Sequence, residues 1–154
     1  MHETLHECAN ELYQALPAEV LQKLRKCETK MTVPPGARLI TKGVRPEHLI
    51  MVGKGSVEVS IPTDGRAISL AVAGQGKVCG LRSIVGRVLP EIDVTTLEQC
   101  EITLVPDAAF IAVLKQHPEM YFAIAKVLSG DLKTAQTLLR EISSRRKRHC
   151  TPGV

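Results

Sequence analysis

From Lys30 to Pro106 the chain is cut into short pieces by glycine, and that punctuation constrains the fold more than any other feature. After the Pro34-Pro35-Gly36 turn, glycines follow at 43, 53, 55, 65, 74, 76, 80 and 86. The pieces between them alternate. Val57, Val59 and Ile61 share one face, and so do Ile68, Leu70 and Val72 beyond the Asp64-Gly65 hairpin signal. Ile92, Val94 and Thr96 repeat the pattern, as do Ile102 and Leu104 before Pro106. About six to eight short strands at this spacing predict an antiparallel sandwich or jelly roll over residues 30–106.

Both flanks change period. In residues 1–29, Leu5, Cys8, Ala9, Leu12, Tyr13 and Leu16 recur at three- and four-residue steps. Pro17 restarts the pattern, and Val20, Leu21, Leu24 and Cys27 follow on one face. Two short helices are expected there. Residues 107–144 predict a short helix, Ala108 to Gln116, and then a long one. In the long helix Tyr121, Ala125, Leu128, Leu132, Ala135, Leu139 and Ile142 form a heptad seam over about three heptads. Gly130 weakens it locally. A helix packed on its own sheet uses a wider stripe, so the narrow seam favours pairing with a second copy through Leu128, Leu132, Ala135, Leu139 and Ile142.

Composition narrows the function. A 154-residue chain with 44% hydrophobic and 23% charged residues makes one globular domain, not a disordered one. Aromatics are only 3% of it and Trp is absent, which argues against a stacking platform for single-stranded nucleic acid. The net charge of +4 lies wholly in Arg145, Arg146, Lys147 and Arg148; the rest carries 16 basic and 16 acidic residues. A basic groove across the fold is thereby disfavoured, and residues 145–154 read as a solvated, disordered tail. Five cysteines without a CxxC pair, no signal-peptide core and no membrane-length apolar run predict a cytoplasmic protein with reduced thiols. Cys27, Cys79 and Cys100 are expected to be buried small apolar residues.

Catalytic motifs fail on context. His2-Glu3-Thr4-Leu5-His6 matches a zinc pattern in letters, but it starts where a helix frays and lacks a third ligand. Gly74-Gln75-Gly76 with Gly80 is not a dinucleotide fingerprint, and Gly53-Lys54-Gly55-Ser56 is not a phosphate loop. His117 and His149 are poorly placed as bases, and only His48 falls within the sheet region. The expectation is a non-enzyme without metal or cofactor.

Taken in order, several stretches resemble the cyclic-nucleotide-binding domain of the Crp/Fnr regulators. They are Val33-Pro34-Pro35-Gly36, Leu49 to Val52, Lys54-Gly55-Ser56-Val57-Glu58-Val59, Asp64-Gly65-Arg66, Gly74-Gln75-Gly76, Gly80-Leu81, the strand pair Thr95 to Val105, and the helix to Ile142. The resemblance covers roughly Leu16 to Ile142. It implies a jelly-roll sensor domain, flanking helices and a homodimer joined by the long helix. It also implies a ligand cassette after Gly80, in which a glutamate holds the ribose hydroxyl and an arginine the cyclic phosphate. Here Leu81 stands at the glutamate position, and Pro90-Glu91 stands where an Arg-Ser pair is expected. An apolar side chain accepts no hydrogen bond and a carboxylate repels a phosphate, which counts against ordinary cyclic AMP or GMP. Arg82 and Arg87, with Ser83, are the candidates for a displaced anion contact. Asp131 and Leu132 fall where relatives contact the base with hydroxyl residues. Neither the cysteines of an iron–sulfur sensor nor the axial ligands of a haem sensor are found.

The twelve residues after Ile142 cannot build the helix-turn-helix that such regulators usually carry. The reading is thus an effector-sensing domain for a small, nucleotide-like molecule, with no membrane partner. The alternatives are a ligand-free dimerisation module and a remnant regulator that touches DNA through its tail.

Overall fold

The computed structural model describes residues 11–14 and 16–129. Two antiparallel four-stranded sheets form the body, in the orders β1-β8-β3-β6 and β2-β7-β4-β5. The strands are β1 (Thr29–Val33), β2 (Arg38–Ile40), β3 (His48–Lys54), β4 (Val57–Thr63), β5 (Arg66–Ala73), β6 (Val78–Cys79), β7 (Asp93–Thr96) and β8 (Cys100–Pro106). Helices α1 (Glu11–Gln14) and α2 (Ala18–Cys27) precede them, α3 (Leu81–Gly86) interrupts them and α4 (Asp107–Gln116) follows. Residues 120–129 form α5 at the edge of the described region. The jelly-roll expectation and the helical flanks hold here.

Two apolar clusters divide the interior. The roll core lies between the sheets and holds Ile40, Ile50, Val52, Val57, Val94, Cys100 and Ile102. The helical core lies on the other side of the first sheet and gathers Leu12, Val20 and Leu24 with Phe110, Leu114, Met120 and Ile124. Strand β3 serves both: Ile50 and Val52 join the roll core, while Leu49 and Met51 join the helical one. Its four consecutive buried residues follow from that double duty, since a strand covered on both faces shows no alternation.

Buried hydrogen bonds fix the turn that opens the roll. Thr96, 2% exposed, donates its hydroxyl to the Pro34 carbonyl at 2.7 Å and accepts from the Ala37 N–H at 2.8 Å. Its backbone completes the tie, accepting from Gly36 and donating to Ala37, each at 2.9 Å. The Asp64-Gly65 hairpin forms as expected, with Gly65 at φ 71°.

Two sequence expectations are corrected. Ile68 and Leu70 are half-buried, but Val72 is 63% exposed, because the ladder to β4 shifts between the Val59↔Ala71 and Ser60↔Ser69 pairs. Leu70 is the extra residue of that bulge, so beyond it Ala71 and Ala73 turn inward instead. Cys27 is exposed at the end of α2, whereas Cys79 and Cys100 are buried as expected. In α5 the buried stripe is Met120, Ile124 and Val127, with Ala123 and Leu128 packed against it. The first two seam residues lie off that stripe, with Tyr121 46% exposed and Ala125 exposed. Leu132, Ala135, Leu139 and Ile142 lie outside the described residues, as do Gly130, Asp131, the basic tail and the His2–His6 motif.

Candidate ligand cassette

The cassette starts at Gly80, which leaves β6 at φ 89°, a left-handed conformation that glycine adopts without strain. A β-carbon there would lie 3.4 Å from the His48 carbonyl oxygen and 3.5 Å from Ile40 Cδ1. The chain then turns directly into α3. A six-residue helix buries only part of its surface: Leu81, Ser83 and Ile84 point inward and Arg82 is exposed. Leu81, 3% exposed, belongs to the helical core together with Ile84. Its side chain is therefore spent on holding α3 down and not on the roll interior.

Arg87 ends α3 at φ 54°, taking the left-handed cap position usually given to glycine. Its side chain is exposed, and among the described residues neither it nor Arg82 is in an ion pair. Val88 and Leu89 follow on the surface, 40% and 56% exposed. Pro90 is buried, with its carbonyl accepting from Gly43 N–H at 2.9 Å, and Glu91 faces solvent. Thus Gly80, Leu81, Ser83 and Pro90 are brought against the body, while Arg82, Arg87 and Glu91 stand outside it.

The buried charge of this region sits at a residue the sequence reading passed over. Asp93 is 6% exposed and opens β7. One carboxylate oxygen accepts the Lys42 N–H at 2.8 Å, and the other lies 2.9 Å from Arg38 Nη1. Arg38 Nε in turn donates to Thr95 Oγ1 at 3.0 Å. This guanidinium is occupied in tying β2 to β7, which lowers its value to an incoming anion. A lone aspartate set in the alternation of Ile92 and Val94 was the available signal for it.

A concavity of about 410 Å³ opens on the helical side of the first sheet. Tyr13, Arg25 and Glu28 from the helical segment meet Met31, Met51, Lys54, Gln75 and Glu101 there, and no cassette residue lines it. Tyr13 donates to Glu28 Oε2 at 3.1 Å, and burial together with the Glu28 charge pushes its hydroxyl pKa well up. Lys54 lies 3.5 Å from Glu101. The cavity draws on segments far apart in sequence, so no local motif announced it. Among the described residues there is no cluster of three or more metal-ligating side chains, and no helix is long and apolar enough to cross a membrane.

Comparison with curated protein sequences gave no match. Among solved structures, the chain is similar to the catabolite activator protein of Thermus thermophilus, with a TM-score of 0.72, 20% identity and coverage of 86% of this chain and 63% of that one. It thus spans less than two thirds of that protein's length. It is also similar to the N-terminal domain of a transcriptional regulator from Streptomyces coelicolor A3(2), with a TM-score of 0.64, 24% identity and coverage of 84% and 92%. For the sensor domain of the regulator DNR from Pseudomonas aeruginosa the TM-score is 0.69 and identity 14%, with coverage of 86% and 90%. These likenesses establish the fold. The sequence profile of the cyclic nucleotide-binding domain matches residues 30–117, which is more than half of the chain and includes the glycine-punctuated roll and the whole cassette; the protein belongs to that family.

Proposed function

We propose that this chain is a non-catalytic sensor-type domain of the Crp/Fnr regulators whose cassette no longer grips a cyclic phosphate. The observation that carries this reading is the chemistry of the cassette. Leu81 offers no acceptor and faces the helical core, Pro90 stands where the phosphate arginine is expected, and Glu91 brings the wrong charge. The nearby buried guanidinium partner, Asp93, already engages Arg38. A nucleotide entering the roll would leave its ribose hydroxyl and phosphate without these partners, at a cost of several kcal/mol. The apolar roll core also supports the ligand-free variant of the reading, in which the domain serves only to dimerise.

Calorimetry with cyclic AMP and cyclic GMP at millimolar concentration is expected to give no heat, and thermal unfolding no shift. Either nucleotide binding with a Kd tighter than about 0.1 mM would raise stability measurably and overturn the reading. The assembly state is tested separately. Light scattering is expected to give a mass near twice 16.8 kDa, and Leu139→Asp, which puts a charge in the seam, is expected to halve it. A wild-type monomer would remove the dimerisation half of the proposal.

A further inference from the structure

We infer that His117 is an acid-released latch between the N-terminal helix α2 and the joint from which α5 starts. Three kinds of bond meet at this residue. Its N–H caps α4, pointing to the Val113 and Leu114 carbonyls at 3.1 Å each. Its carbonyl accepts from Met120 N–H at 2.9 Å and so begins α5. Its imidazole, only 12% exposed, reaches across 94 residues of sequence to Lys23 of α2, with Nε2 2.9 Å from Nζ. Lys23 also donates to Gln116 Oε1 at 3.0 Å, and His117 Nδ1 lies 3.2 Å from Glu119 Oε1.

The proton count assigns the state of the ring. A lysine ammonium has three donors and no acceptor, so Nε2 must accept, and the single ring proton sits on Nδ1, where it is donated to Glu119. The bridge to α2 therefore requires a neutral imidazole. Protonation puts an N–H and a positive charge against the ammonium at contact distance, while the pair with Glu119 gains. Glu119 is ready for this, because its own backbone N–H, and then the imidazole, hold its carboxyl below the usual range. The charged groups facing the ring are Lys23 from α2 and Glu119 on its own connector. Acid thus trades a bond between elements for a stronger one within the connector, and the hold of α2 on the start of α5 is weakened to its apolar packing and the Lys23–Gln116 bond. The latch is independent of whether the cassette takes a ligand.

The test is amide hydrogen exchange of residues 118–127 in the full chain at pH 7.5 and pH 5.0, corrected for the intrinsic rate. In the wild type, protection is expected to fall about tenfold at the lower pH, the scale of two like charges at contact in a half-solvated site. His117→Gln keeps an acceptor for Lys23 but does not titrate, so its protection is expected to stay level. Lys23→Met removes the opposing cation, and most of the fall should vanish there too. Equal protection at both pH values in the wild type overturns the proposal. So does a fall of undiminished size in both variants, since the pH effect would then arise elsewhere.

Discussion

Gly55→Ala is expected to cost the fold about 3–5 kcal/mol, enough to unfold a large share of a marginally stable domain. Gly55 carries the chain from β3 in one sheet to β4 in the other, at φ 96°, where an L side chain is strained. Space adds to the strain. A β-carbon would sit 2.6 Å from Cys100 Sγ and 2.8 Å from the Gln99 carbonyl oxygen. Neither neighbour yields easily: Cys100 is fully buried, and its thiol points to the Ser56 and Glu98 carbonyls at 3.4 and 3.3 Å. Denaturant midpoints measure the loss. Adding Cys100→Ala removes the sulfur but not the carbonyl, so the double variant is expected to be less than additive by about 1 kcal/mol or more. A Gly55→Ala protein within about 1 kcal/mol of the wild type would mean that the two sheets do not approach this closely.

Leu81→Glu separates two placements of the cassette. The family resemblance puts this position at the mouth of the roll, where a glutamate would be welcome. The structure puts the side chain in the helical core at 3% exposure, where a carboxylate has no partner. The expected loss is about 3–5 kcal/mol near neutral pH. The sign with pH follows from burial. An unpaired buried carboxyl has its folded pKa raised, so the variant keeps most stability below the unfolded value of about 4.3 and loses it as pH rises through the folded one. Arg82→Glu, one residue on and exposed, is expected to stay within about 0.5 kcal/mol of the wild type. If Leu81→Glu were equally mild at pH 7, residue 81 would face the roll, and a ribose acceptor could be restored there.

These two positions also mark how far the sequence could be read. Glycine spacing and alternation gave a roll of about six to eight short strands and the hairpin at Gly65, because turn chemistry and period-two patterning are local. The same alternation misled at Val72, since Leu70, Ala71, Val72 and Ala73 are all apolar and a bulge among them leaves no mark in composition. Position 81 is singled out by the resemblance, but the direction of its side chain is not: a six-residue helix between two apolar cores carries too few residues to show which core it serves. Cys27 was read as buried because it continues the spacing of Val20 and Leu24, yet α2 ends on it and the chain turns away into β1. Asp93 with Arg38, and His117 with Lys23, join residues 55 and 94 positions apart. No window of sequence holds such pairs.

Strand β3 has a mechanical consequence. Its backbone is a partition one residue thick, loaded by packed side chains from both directions. Displacing Ile50 or Val52 pushes on Leu49 and Met51 through rigid peptide units, with no water layer to absorb the movement. Pressure applied in one compartment is therefore felt in the other, and neither can be repacked in private.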